Sequence, residues 1–252
     1  MPPTPLRQKP ARRHKPELTL DRLLSRSGLM SRAQAAEAIR AGRVSLQGRR
    51  ISDPLTWVEA KDPSLRLDGR RLKNAPRQYW VMHKPKGVLT AHGDARGRKT
   101  VYDLIAQKLR LGQEGKWLFP VGRLDLDSSG LLLLTNDSIF AERITQPATK
   151  VPKTYLVKVN AIVDEAGLAR LRQGLDIGRG ERSGPAEVKY IGDNGRFCRL
   201  EITLTEGKNR QVRRMLEALG HTVLKLVRTR IGKLELADLP PGEFRKIRPD
   251  QI

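Results

Sequence analysis

Apolar positions recur at helical spacing near the start of the chain. Leu20, Leu23 and Leu24 predict a short helix that stops at Ser27-Gly28. Ser31, with Gln34 three residues on, forms a capping box that opens a second helix running through Ile39, and Gly42 suits its left-handed closing position. The period then shortens to two. Arg43–Leu46 reads as a strand, Gln47-Gly48 as a tight turn and Arg49–Ile51 as the returning strand. Farther on, Tyr79–Met82, Thr154–Val159 and Arg199–Thr205 read as strands, and the apolar run Leu131–Leu134 as a buried one. Asn136 or Asp137 caps a following helix on which Phe140 and Ile144 share a face. Two more helices are predicted over Glu165–Gln173 and Gln211–Leu219. In the second, Val212, Met215, Leu216 and Leu219 make the apolar stripe, with Arg213, Arg214 and Glu217 off it.

Proline, glycine and charge mark the boundaries. Residues 1–16 combine Pro with Arg and Lys and contain no acid; they cannot bury a core and predict a disordered basic tail. Residues 17–68 form one small helix–helix–strand unit. Residues 69–77 read as an exposed linker, and residues 78–252 as a second domain. The mixture predicts an α+β fold: a small domain followed by one built on a mixed, largely antiparallel sheet.

Charge then narrows the partner. A formal net charge of +22 over 252 residues is costly in self-repulsion and points to a polyanion. Nucleic acid is favoured over a membrane surface, because no apolar run approaches the roughly 18–20 residues of a spanning helix. Aromatics are only 4% of the chain, so phosphate contacts rather than base stacking should supply most of the affinity. Cys198 is the only cysteine, which excludes an intramolecular disulfide and a multi-cysteine zinc site. It reads as a small packing residue. His14, His83, His92 and His221 lack metal-ligand spacing, so no metal is expected. With no secretory signal at the N-terminus, a cytoplasmic location is expected.

The candidate chemistry lies in Phe119–Gly130, where Gly122-Arg123-Leu124-Asp125-Leu126-Asp127-Ser128-Ser129-Gly130 leads into the leucine strand. A turn-rich loop fixed by a rigid strand suits a reactive carboxylate. A calcium loop is excluded, because the twelfth position is Asn136 and leucines stand where ligands should. The short Asp125-Leu126-Asp127 pair is weak support for the metal site of a nucleotide-sugar transferase. Both acids bonding loop amides stands level with catalysis on spacing alone. Gly93–Thr100 has the wrong glycine spacing for a phosphate-binding loop and reads as a basic loop.

Two resemblances extend this picture. Residues 22–51, RLLSRSGLMSRAQAAEAIRAGRVSLQGRRI, resemble the RNA-binding domain named after ribosomal small-subunit protein four. The segment GRLDLDSSGLLLLTND resembles the signature of the RsuA/RluB/RluE/RluF family of ribosomal RNA pseudouridine synthases. His83-Lys84-Pro85-Lys86-Gly87 resembles that family's early motif, with His83 in place of Asn. Lys153-Thr154-Tyr155 and Glu206–Met215 resemble its later ones.

The family resemblance implies isomerisation of a ribosomal RNA uridine to pseudouridine, with no cofactor. It implies that Asp125 is the catalytic carboxylate, that Tyr155 stacks on the uracil, and that Lys208, ahead of an Asn209-capped helix, pairs with Asp125. A buried carboxylate needs such a cation to stay ionised. The expected RNA contacts are Arg22, Arg26, Arg32, Arg40 and Arg43 in the first domain and Lys84, Arg123 and Arg210 in the second. His83 is a further candidate, and Val223 or Leu224 is expected to close the apolar side of the pocket. The target uridine is expected to be extruded from its stack. The third motif, with Asn209-Arg210-Gln211-Val212, leans toward large-subunit RNA. The partner is expected to be ribosomal RNA, free or in an assembling subunit, and the chain is expected to be a monomer. The competing function is an RNA-binding assembly factor without activity. Whether Asp125 attacks the sugar, attacks the ring or acts as a base stays open.

Overall fold

The computed structural model describes residues 17–109 and 117–252; the expected tail, residues 1–16, lies outside them. The chain divides into two compact units at Ala75/Pro76.

In the first unit, β1 (Glu17–Thr19) leads into α1 (Leu20–Arg26) and α2 (Arg32–Arg40). The Ser31–Gln34 capping box is present, with both of its reciprocal hydrogen bonds formed, an arrangement that stabilises a helix start by about 1 kcal/mol. Strands β2 (Val44–Leu46) and β3 (Arg49–Arg50) turn through Gln47 and Gly48, both at positive φ. β4 (Trp57–Glu59) pairs with β1. Leu20, Leu24, Ile39 and Val44 meet in one core.

The expected linker begins too early. β5 (Arg66–Leu67) and β6 (Arg70–Arg71) form a hairpin through Asp68-Gly69, and β5 pairs with β2, so residues 69–71 belong to this small sheet. Charge hid the hairpin: three of its four strand residues are arginines, and an edge hairpin needs few apolar positions.

The second unit is built on a mixed, largely antiparallel sheet, as expected. Its elements are β7 (Tyr79–Lys84), α3 (Val101–Leu109), β8 (Phe119–Val121), β9 (Ser129–Thr135), α4 (Ser138–Thr145), β10 (Lys153–Val159) and α5 (Glu165–Gln173). There follow β11 (Glu187–Asp193), β12 (Cys198–Leu204), α6 (Gln211–Glu217), β13 (Val223–Ile231), β14 (Leu234–Glu235) and β15 (Phe244–Lys246). The main strand order is β11-β12-β10-β13-β9-β7-β15, and only β13 and β9 run parallel.

The continuous leucine run is explained by β9 being covered on both faces. Leu131 and Leu133 pack with Phe140, Ala141 and Ile144 of α4. Leu132 and Leu134 pack with Val101, Leu104 and Ile105 of α3. Asp137 is the cap of α4, accepting from the Ile139 and Phe140 amides. Cys198, the first residue of β12, is fully buried in a core shared with residues of α5 and α6. Among the described residues no helix is long and apolar enough to cross a membrane.

Candidate active site

Asp125 sits on the turn between β8 and β9, and that turn is held through its backbone. Each carbonyl from Leu124 to Ser128 accepts a hydrogen bond. Leu124 O accepts from Thr90 Oγ1 (2.9 Å), Leu126 O from the Gly87 amide (2.8 Å) and Asp127 O from Arg213 Nη2 (3.0 Å). Asp125 O accepts from Lys84 Nζ (3.1 Å) and the Ser128 amide (3.1 Å), and Ser128 O from Lys84 Nζ (2.8 Å). A loop tied at five consecutive carbonyls presents its side chains without reorganisation, which is what a reacting carboxylate requires.

Lys84 is the centre of this arrangement. It ends β7 fully buried and gives a third bond to Pro85 O (3.0 Å). Its expected RNA contact is thereby overturned, since the side chain is 0% exposed and its three bonds all go to backbone carbonyls. Burial pulls its amine down from 10.5 to about 8, with Arg228 adding to the shift and Asp125 and Asp127 opposing it.

Helix α6 supplies the second support. Arg213 and Arg214, expected off the apolar stripe, are both buried, because the short helix is covered on nearly every side. Arg213 reaches the Asp125 loop, while Arg214 donates to Ile177 O (2.9 Å) and Gly178 O and pairs with Glu181. Burial lowers the Arg213 guanidinium from its usual value, as does Arg210, against the charges of Asp125, Asp127 and Glu217. Asn209 is not the cap of this helix. Arg210, at φ 49°, holds that position without a capping side chain.

Asp125, Tyr155 and Lys208 border one cavity of about 360 Å³, together with Arg123, Lys153, Arg210 and Arg228. Its volume falls in the range of small-molecule sites, roughly 300–1,000 Å³. Leu226 and Ile231 give the cavity apolar lining. The expected Val223 is committed to the core, and Leu224 is half exposed and outside the lining.

The pairing of Lys208 with Asp125 is not formed. Lys208 Nζ instead donates to Arg182 O and lies 3.2 Å from Glu206 Oε2. Burial alone would raise the Glu206 carboxyl, but the Gly184 amide, Lys208 and Gln211 outweigh it and hold it below its usual value. Among the described residues no cation lies within ion-pair distance of the Asp125 carboxylate. Lys84 and Arg213 are the groups that feel its charge.

Gly130 shows why the loop must end on glycine. Its φ is +110°, and a Cβ there would lie 2.3 Å from Arg228 O and 2.6 Å from Arg228 N on β13. Gly130→Ala is expected to destabilise the protein by about 3 kcal/mol or more. Urea unfolding measures this, and an unchanged midpoint at unchanged slope would refute the packing account.

The remaining expected contacts are on the surface. Arg123 and Arg210 are exposed at the cavity. Arg22 and Arg40 are exposed in the first unit and Arg26 is half-buried. Arg32 pairs with Asp21 (2.8 Å) and Arg43 with Asp68 (2.7 Å), so these two also brace their own unit. His83 is bonded through Nδ1 to Leu239 O (2.7 Å). Thr90, Arg213 and Arg228 were not singled out from sequence, although Arg213 falls within the Glu206–Met215 motif; Thr90 and Arg228 carried no such signal.

Comparison with known proteins places this geometry. Residues 78–218 match the RNA pseudouridylate synthase family model, and residues 18–63 match the S4 domain. The chain is 34% identical over 238 residues to ribosomal large subunit pseudouridine synthase B of Bacillus subtilis, covering 92% of this chain and 93% of that protein. It is 39% identical to an uncharacterized RNA pseudouridine synthase of Mycobacterium tuberculosis, covering 93% of this chain and 91% of that one. A crystal structure of a pseudouridylate synthase superposes with a TM-score of 0.66 at 30% identity, over 93% of this chain and 97% of its own.

Proposed function

The chain belongs to the RNA pseudouridylate synthase family, an isomerase of RNA uridine, and from that premise we propose that it modifies ribosomal RNA of the large subunit with Asp125 as its catalytic carboxylate. The observation that carries the residue assignment is the loop clamped at five consecutive carbonyls, which holds Asp125 at the wall of the shared cavity. The choice of large-subunit RNA is supported by the name of the Bacillus relative.

The target uridine leaves its stack, at a cost on the order of a few kcal/mol, and enters this cavity. There the bond from C1′ to N1 breaks and its electron pair passes to the base. The base turns, C5 bonds to C1′, the C5 proton leaves and N1 takes one up. Tyr155 stacks on the uracil, and Lys208 borders it. Arg123 and Arg210 meet flanking phosphates, while the S4 domain anchors the RNA through Arg22, Arg26, Arg32, Arg40 and Arg43. The protein works as a monomer where ribosomal subunits are assembled, in the cytoplasm.

The test incubates full-length protein with unmodified large- and small-subunit transcripts and with subunits lacking the modification, then maps pseudouridine by chemical labelling and primer extension. A site in large-subunit RNA is expected. Modification confined to small-subunit RNA overturns the choice of subunit, and none in any of these substrates overturns ribosomal RNA as the target.

A further inference from the structure

Arg228 lies on β13 between the two segments that carry Asp125 and Tyr155. Its register partner on β9 is Gly130, which closes the Asp125 loop, and its partner on β10 is Tyr155. Adjacent positions across an antiparallel pair share a face of the sheet. Accordingly Arg228 and Tyr155 both line the cavity that Asp125 borders. The side chain is 5% exposed, and its Nε donates to Leu131 O at 2.7 Å. Its Nη2 is buried without an acceptor among the described residues.

A buried guanidinium with an idle donor is costly, so Arg228 calls for a partner that the described residues do not supply. The ligand chemistry follows from depth. A phosphate is held at the exposed rim by groups such as Arg123 and Arg210, whereas Arg228 is buried beyond the reach of a hydrated phosphodiester. A flat base reaches farther in, and uracil offers two carbonyl oxygens as acceptors. Burial chiefly, and Arg228 in addition, depresses the amines of Lys84 and Lys153, and Lys153 lines the same cavity.

We propose that Arg228 is a further catalytic residue, whose Nη2 donates to a uracil carbonyl oxygen and stabilises the charge on the base while it is detached. This rests on the uridine-binding reading of the cavity. When the C1′–N1 bond breaks, the electron pair spreads from N1 onto O2 and O4, whichever role Asp125 takes on the sugar side. A preorganised cation in a water-poor pocket is best placed to stabilise that charge, and the interaction strengthens as the bond breaks.

The test uses full-length protein under single-turnover conditions with the RNA that wild type modifies. Arg228→Gln is expected to slow pseudouridine formation by about 10²–10³-fold, with RNA dissociation constants within about threefold of wild type. Arg228→Lys keeps the charge and should lose about 10–100-fold. Added guanidinium should partly restore Arg228→Ala and leave wild type unchanged, which a purely structural role would not produce. A rate within threefold of wild type for Arg228→Gln, or a loss found wholly in RNA affinity, overturns the assignment. If Arg228→Gln does not fold, Arg228→Lys decides, and an unchanged rate overturns it. A wild-type chain that forms no pseudouridine would instead undo the reading beneath it.

Discussion

Asp125→Asn is expected to reduce single-turnover pseudouridine formation by about 10⁴-fold or more, the scale seen when a group that bonds to or deprotonates a substrate is removed. Asparagine has the same shape and leaves the carbonyl at position 125 available to Lys84 and Ser128, so the loop should persist. Only the negative charge and its lone-pair basicity are lost. RNA affinity should hold or rise slightly, since a carboxylate facing a polyanion is removed. Release of tritium from C5-labelled uridine in RNA measures the rate directly, because every turnover expels that hydrogen. Asp127→Asn is the internal control. That side chain is exposed two residues away, and its rate should stay within about threefold. A variant at position 125 that keeps more than a tenth of the wild-type rate would remove Asp125 from the chemistry.

How much of this was legible in the sequence depends on how local each determinant is. The Ser31–Gln34 box, the Gln47-Gly48 turn and the four-leucine strand are written within a few residues, and each is found as read. The family segment around Asp125 was legible through its long motif. The partners of its charges were not. Lys84 looked like a surface cation because two of its three carbonyl acceptors lie 41 and 44 residues downstream, where only the folded sheet brings them to it. Arg213 was misread for the same reason, its partner at Asp127 being 86 residues away. Lys208 failed differently: Glu206, two residues before it, competes for the amine that resemblance assigned to Asp125. Helical periodicity separates apolar from polar positions, but it does not tell a solvated arginine from one that donates to a distant carbonyl.

Lys84→Met should be the most damaging change outside the reacting groups. Methionine fills a similar volume but offers no donor, so Pro85 O and Ser128 O lose the ammonium, while Asp125 O keeps its bond from the Ser128 amide. Three charge-assisted bonds are lost, and the two carbonyls left without the ammonium cost roughly 2–4 kcal/mol, offset in part because a buried charge is also removed. The larger effect falls on rate. With the loop free to shift by a fraction of an ångström, turnover should drop by about 10²-fold. pH separates the two consequences. Lys84 titrates at about 8 in the folded protein against 10.5 for an ordinary lysine, so the unfolded chain binds the extra proton between those values. Stability from this group therefore rises with pH across that window. Activity moves the other way. A neutral amine has two donors for three carbonyls, so one contact to the loop loosens and the rate of wild type should fall as pH passes about 8. Lys84→Met has no proton to lose there, and its low rate should lack that descending limb. A wild-type limb that persists unchanged in Lys84→Met would assign it to another group, and a Lys84→Met rate within threefold of wild type would mean that the loop does not depend on the ammonium.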